Sequence, residues 1–480
     1  MTTDTALELA EERLLSAALA ELASEPRAAV LARWSTWLRA ALVLLGVSVA
    51  FATAWYVRTD RDVAVTPEVQ EPEPLPPPVR VEGSAALARL LREAPKTRNL
   101  WALVQPADLN VVAEFIHLER LLLEPYNPPS SGPRAAPRGW NLLPLTRLLR
   151  LQSFTIGFCE GVATEEVARL MALPSLREFG LIGAVHTFDA AMGKALHGMS
   201  LHRLSLKAVR MTPAGFDALL ELAGLQQLEL ENCPGLDECD LTRLARLEQL
   251  RSLHLVGVGG QLAAALAAGN LQGGAPPRVV LTPAVMQALA KLPDLRELVL
   301  DASPVDAAVL AAVPPQLERL GLRECLVTSE DAFLRCAPLP KLRALSCSVP
   351  GLVTHEESTE GFGRRQEAMC ALLDRQPLRE LKFLGTVTDA MAASLGRQLA
   401  LEELDFQNTS HKEGQPLGLF ATLPKLRRLR LLFVGEETDP APLAKLPALQ
   451  RVELHEPHAG ALAAFRKVLG ERVVQLAPDY

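Results

Sequence analysis

Apolar residues recur along this chain in a fixed order: L-x-x-L-x-L, then two variable positions, then a small or sulfur-bearing residue. Clear copies are Leu201/Leu204/Leu206/Val209, Leu225/Leu228/Leu230/Cys233, Leu295/Leu298/Leu300/Ser303 and Leu317/Leu320/Leu322/Cys325. First positions fall at 118, 151, 176, 201, 225, 250, 295, 317, 342, 378, 401, 426 and 449, a nearly constant step for most of the series. The long step from 250 to 295 leaves room for a degenerate unit at Pro276/Val279/Leu281. The fourth and sixth positions alternate, so they share one face of a short strand, and the first position turns the chain inward. About eleven positions into many units a Thr or Asp opens a second apolar stretch, as at Thr212-Pro213, Thr328, Thr388-Asp389 and Thr438-Asp439. Thr at an N-cap with Pro at the next position starts a helix, because Pro gives up only a donor that would be unpaired there anyway. Each unit therefore predicts strand, turn, helix. One unit cannot bury its apolar face alone, so successive units must stack.

This pattern resembles the leucine-rich-repeat family over roughly residues 100 to 480. The resemblance implies an α/β solenoid: a right-handed horseshoe with a parallel sheet on its concave side and helices on its convex side. Residues 83–117 are expected to form an N-terminal cap, and 118–480 the repeats with a C-terminal cap, where Arg472 to Leu476 read as a final strand. The chain departs from the family at the ninth position. Asn or Cys is usual there, but Val, Thr, Ala, Ser and Pro are common here and Cys stands only at 159, 233 and 325.

Ahead of the repeats, the run from Ala40 to Val57 carries no charge. At about 1.5 Å per residue in a helix it spans most of a hydrocarbon core roughly 30 Å thick. Trp34, Trp37, Trp55 and Tyr56 flank the run at interfacial depth, and Arg39 and Arg58 bracket it. One transmembrane helix is the expectation, with a buried core helix or a cleaved signal peptide as the alternatives. Ala50-Phe-Ala52 and Ala52-Thr-Ala54 match a cleavage site, but the whole of 1–39 precedes the apolar run, too much for an ordinary signal sequence. Residues 1–39 form an arm with one amphipathic face through Leu7, Leu14, Ala18 and Leu22, and 58–82 a Pro-rich acidic linker. Arg27, Arg33 and Arg39 before the span outnumber Arg58 and Arg61 after it, which favours a cytoplasmic N-terminus. The expected location is a bacterial inner membrane, held through residues 40–57, with the repeats outside the cytoplasm.

The family usually binds partners on the concave sheet. Third, fifth and seventh positions of 14 units, the degenerate one included, give 42 side chains with ten basic, ten acidic and no Phe, Tyr or Trp. That balance gives no steering toward nucleic acid, and none is expected as a partner. A protein partner is expected, through Arg319, Arg323, Arg428, Arg430 and Arg451 on the face and through Tyr126 and Trp140 in the first of three insertions. These insertions begin at Pro125, Gly259 and Gly351. Fifth positions Lys382, Asp405, Arg430 and Glu453 alternate in sign, and Glu403 with Arg428 repeats the pairing. Stacked in a parallel sheet they read as a cross-strand charge ladder, or alternatively as a docking patch.

Composition adds few constraints. The net charge is −7, aromatics are 5%, and Ala, Leu, Arg and Pro are abundant. Seven cysteines, an odd number without a C-x-x-C pair, read as buried hydrophobes rather than a disulfide framework. His455-Glu-Pro-His458 lacks the helical i, i+4 spacing of a zinc site, and there is no G-x-S-x-G or P-loop. No catalytic residue, metal site or cofactor is expected. A non-enzymatic interaction module leads, followed by an envelope scaffold without a discrete ligand and then by an unrecognised enzyme.

Overall fold

A computed structural model describes residues 75–126, 139–159, 162–170, 173–183, 185–258, 281–327, 329–349, 351–352, 359–385, 389–407, 417–432 and 434–476. The chain divides into two compact units; one, built from Met1–Thr66, Leu262–Ala275 and Tyr480, lies outside the described residues. The expected arm and span at 1–57 therefore lie outside them, as do Thr328, Thr388, Pro276 and Val279. Among the described residues no helix is long and apolar enough to cross a membrane.

The other unit is organised by one sheet of 16 strands. These are β1 (Val79–Glu82), β2 (Asn99–Val104), β3 (Arg120–Pro125), β4 (Ser153–Gly157), β5 (Glu178–Ile182), β6 (Arg203–Lys207), β7 (Gln227–Glu231) and β8 (Ser252–Val256). They continue with β9 (Glu297–Val299), β10 (Arg319–Leu322), β11 (Ala344–Ser348), β12 (Glu380–Leu384), β13 (Glu403–Gln407), β14 (Arg428–Leu432), β15 (Arg451–His455) and β16 (Val474–Leu476). Spatial order equals chain order and every pairing is parallel, which makes this a leucine-rich-repeat-like α/β solenoid. Register follows the leucines. Leu204 pairs with Leu228, Leu228 with Leu253, Leu253 with Leu298, and Leu298 with Leu320, all of them buried. A one-residue slip would turn every leucine to solvent, so the apolar pattern itself fixes the register.

Two boundaries differ from the sequence reading. Strand β1 begins at Val79, inside the segment expected as linker, and β2 pairs in register with β3, so the expected cap already contains sheet. In β2 the apolar positions are Leu100 and Ala102 and the turn-in position is Thr97, which hides the repeat. The degenerate unit at Pro276 is also corrected. β8 pairs directly with β9, Ser252 opposite Glu297, so no strand stands between them and the step from 250 to 295 is one unit. Leu281 is buried beside the helix Pro283–Leu289, whose cap is Thr282.

The turn after each strand has a common construction. The eighth residue of many units is left-handed, as at Phe158, Ala208, Asn232, Ala302 and Glu324 with φ between 50° and 54°. That bend turns the ninth side chain inward. There Cys233 and Cys325 each donate to a carbonyl of the preceding unit at 3.3 Å, from Leu206 and Leu300, and Ser303 donates to Leu255 at 3.0 Å. Where the ninth residue is Val209, Val258 or Val434 it is simply buried. The irregular ninth position therefore leaves the fold intact while trading a hydrogen bond for packing.

Helices cover the other side of the sheet. Thr212 caps Pro213–Leu219 by accepting from the Gly215 N–H at 3.0 Å, as its Thr-Pro signal predicts. The Thr438-Asp439 signal instead leads into a 3-10 segment, Ala441–Lys445. Five residues at about 2.0 Å rise cover nearly the same width as seven at about 1.5 Å, so either helix can return the chain to the next strand. The third insertion is not all loop: from Thr359 it becomes a 16-residue helix, Thr359–Asp374.

Candidate functional site

Because side chains alternate along each strand, the residues between the core leucines form one solvent-facing surface across the sheet. At its N-terminal end stands Trp101 on β2, which the sequence reading misses because its unit lacks the repeat pattern. Its indole N–H donates to Glu124 Oε2 at 2.9 Å, and the Arg80 guanidinium lies 4.6 Å over the ring. Burial pushes the Glu124 carboxyl up, offset in part by Trp101 and Arg80. Gly157 makes room for this carboxylate, since a Cβ there would come within 2.9 Å of it.

The middle of the surface is a buried polar network. Lys207 Nζ lies 2.7 Å from Glu229 and 3.0 Å from Glu231, while Ser205 donates to Glu229 at 2.8 Å. Burial works against the Lys207 ammonium, but the two carboxylates outweigh it and hold it charged. Burial pushes Glu231 up despite Lys207. One strand on, Ser252 Oγ donates to Glu297 at 2.7 Å and lies 3.2 Å from His254 Nε2, which is 3.6 Å from the same carboxylate. Serine, acid and histidine converge on one imidazole nitrogen here, with Nδ1 left without a partner. That is the wrong side for a relay that would activate the hydroxyl.

Burial opposes ionisation of Glu297, but His254, Ser252 and Arg319 outweigh it and pull its pKa down from 4.5 to about 2. Between those values the unfolded chain holds a proton that the folded chain does not. The stabilisation is therefore complete above about pH 4.5 and lost as the pH falls toward 2. Glu297→Gln is expected to lower stability at neutral pH and to flatten the acid limb of unfolding over that window. Urea titrations at stepped pH check this; an unchanged acid limb would discard the assignment.

The arginines expected as partner contacts are engaged within the chain. Arg319 reaches Glu380 at 2.9 Å across the small Ala344, and Arg323 Nε meets Asp301 at 2.9 Å. Arg428 pairs with Glu403 at 3.2 Å, Arg451 with Glu453 at 2.6 Å, and Arg430 with both Glu453 and Asp405 at 2.8 and 3.4 Å. The alternating fifth positions are direct neighbours in register, as a charge ladder requires. Burial pulls Lys382 at its end down to about 8.

Trp140 is corrected: it is 2% exposed and belongs to the core, so it is no surface anchor. Tyr126 is half-buried, its ring over Gly83, where φ of +79° and the 3.2 Å approach of the ring to a Cβ both favour glycine. The two residues stand at the ends of 127–138, which are outside the described residues, as is the Gly259–Gly274 insertion.

The cysteines form no disulfide, and all but Cys239 are buried. Burial raises Cys233 and Cys336 to about 12, so neither is a thiolate near neutral pH. His458 pairs with Glu436 at 2.6 Å, and among the described residues no His/Cys/Asp/Glu group could hold a metal ion.

The parallel register and the inward-turning ninth residues define the fold class. Neither a family model nor a curated protein matches the chain. Solved leucine-rich-repeat structures do. A Leptospira interrogans protein of this class is 15% identical, with 88% of this chain and 98% of that one covered and a TM-score of 0.36. TLR13 in its complex with ssRNA13 is also 15% identical, over 80% of this chain and 54% of that one, at a TM-score of 0.37. The plant peptide hormone receptor RGFR1, in complex with RGF2, is 11% identical, over 87% of this chain and 71% of that one, at 0.27. What those proteins bind is a property of theirs.

Proposed function

We propose that this chain is a membrane-tethered, non-enzymatic interaction module whose solvent-facing sheet surface and turns engage another protein. The observation that carries this reading is the sheet itself: 16 parallel strands present one continuous, preformed surface. Preformed surfaces lose little entropy on binding. Crosslinking in intact cells followed by capture of this chain tests it, and repeated failure to recover a specific protein would count against it. The internal pairing of Arg319, Arg323, Arg428, Arg430 and Arg451 favours the second reading, a scaffold whose charges serve its own stability. Deleting only 127–138, 259–274 and 353–358, which leaves Trp140 and the helix Thr359–Asp374 in place, separates the two, because a scaffold tolerates the loss and a receptor does not.

The tether is assigned to residues 40–57, with the repeats outside the cytoplasm of a bacterial cell. A C-terminal alkaline phosphatase fusion is then expected to be active. A C-terminal fluorescent protein that matures only in cytoplasm is expected to stay dark. The reverse pair of results would move the partner search into the cytoplasm.

A further inference from the structure

All strands of the sheet run parallel, so every turn from helix into strand lies along one rim and every turn from strand into helix along the other. The two rims differ in charge. Among the described residues, the helix-to-strand turns carry 15 Lys or Arg against eight Asp or Glu. The strand-to-helix turns carry 13 Asp or Glu against two arginines, Arg210 and Arg323. A net charge of −7 conceals this segregation. Acids near helix starts and bases near helix ends complement the helix dipoles, which explains part of it. It does not explain the arginines at second positions, which precede strands.

The basic rim is densest across the four units of β11 to β14. Backbone bonds order its row: Arg379 N–H donates to the Arg343 carbonyl at 2.7 Å, Glu402 to Arg379 at 2.8 Å and Arg427 to Glu402 at 2.8 Å. Neighbours in that row are about 4.8 Å apart. The acids of these turns and helix ends are occupied, Asp374 by Arg397 at 2.6 Å and Glu402 by Arg427 at 3.9 Å. The side chains of Lys341, Arg343, Arg379 and Lys425 are exposed and make no hydrogen bond or ion pair among the described residues. Among them stands Leu399, 59% exposed, where the units that start at 342 and 426 have Pro340 and Pro424 at the same position.

We propose that this rim docks on an anionic lipid surface, with the four free cations at the headgroup phosphates and Leu399 entering the interface. Unpaired Lys and Arg on long stems suit laterally mobile phosphates, and a single exposed leucine amid them adds apolar contact at the acyl boundary. The patch presents no aromatic ring on which a nucleic-acid base would stack. The acidic rim at the opposite strand ends is repelled by the same surface. Docking therefore has one orientation, with the starts of the strands toward the bilayer. This inference rests on neither the protein-binding reading nor the span at 40–57.

The test is hydrogen exchange of the full chain on phosphatidylcholine vesicles with and without phosphatidylglycerol. Amides of 397–402 and 423–427 are expected to exchange more slowly on the anionic vesicles alone, with the protection lost in high salt and 435–439 unaffected. The triple variant Arg343→Glu/Arg379→Glu/Lys425→Glu, checked for an unchanged melting temperature, is expected to lose the protection. Each lost charge weakens docking by about fivefold. Leu399→Ser is expected to weaken it with the charges intact. No protection on anionic vesicles, equal protection on both kinds, or protection retained in the triple variant would overturn the proposal. Protection by soluble polyglutamate but not by phosphatidylglycerol vesicles would overturn it in favour of an acidic protein partner.

Discussion

Leu298→Asp is expected to unfold the units around β9 and to abolish a cooperative melt there. Leu298 is fully buried at the centre of its strand, opposite Leu253 on one side and Leu320 on the other. Removing a buried leucine side chain costs about 2–5 kcal/mol. An unpaired carboxylate in its place adds several more, because no donor or cation lies in the leucine ladder to receive it. The sum rivals the roughly 5–15 kcal/mol that hold a typical domain together. In a stacked array each unit depends on its neighbours, so the damage should spread outward from β9. Circular dichroism and hydrogen exchange would follow it, with Leu298→Ala as the milder comparison that creates only a cavity. A melting temperature equal to the parent's would remove Leu298 from the core.

The same ladder shows what the sequence could and could not disclose. Thirteen first positions from 118 to 449 each precede a strand of the sheet, because burial of alternate leucines is a local pattern with a fixed period. Cys159, Cys233, Cys325 and Cys347 are buried, as their repeat positions imply. The strand at Asn99–Val104 is not legible, since Thr97 and Ala102 replace leucines, and with it goes Trp101, the one indole on the sheet surface among the described residues. The long step from 250 to 295 misleads because spacing alone cannot tell a weak unit from an insertion within a unit; only the pairing of Ser252 with Glu297 does. Trp140 has the polar, Pro-rich neighbours of a loop anchor, but an indole beside a returning chain is large enough to fill the core. The charge ladder of the last units is legible because it needs only register. The polarity of the rims is not, because it exists only once all turns of one kind are aligned in space.

Lys207→Met is the expected source of the largest electrostatic loss. The ammonium, 12% exposed, is held between Glu229 and Glu231, whose side chains are 4% and 5% exposed. Replacing it with an apolar group of similar length preserves packing but leaves two buried carboxylates side by side. Arg203 at 3.4 Å and Ser205 at 2.8 Å still serve Glu229, so Glu231 is the group left uncompensated. Breaking a buried pair from one side costs about 3–5 kcal/mol, mostly the penalty of the stranded charge. The double variant Lys207→Met/Glu231→Gln removes that charge and is expected to recover most of the loss, which a simple packing defect would not do. The pH response gives a second, independent reading. Without the lysine, the folded-state pKa of Glu231 rises further above its ordinary value, so the folded chain takes up a proton that the unfolded chain does not. The stability gap between variant and parent should therefore be widest at neutral pH and narrow on acidification toward the ordinary carboxylate range. Urea unfolding of parent, single and double variants at several pH values measures both effects. A single variant as stable as the parent, or a gap that widens as the pH falls, would show that the Lys207 ammonium does not hold these carboxylates together.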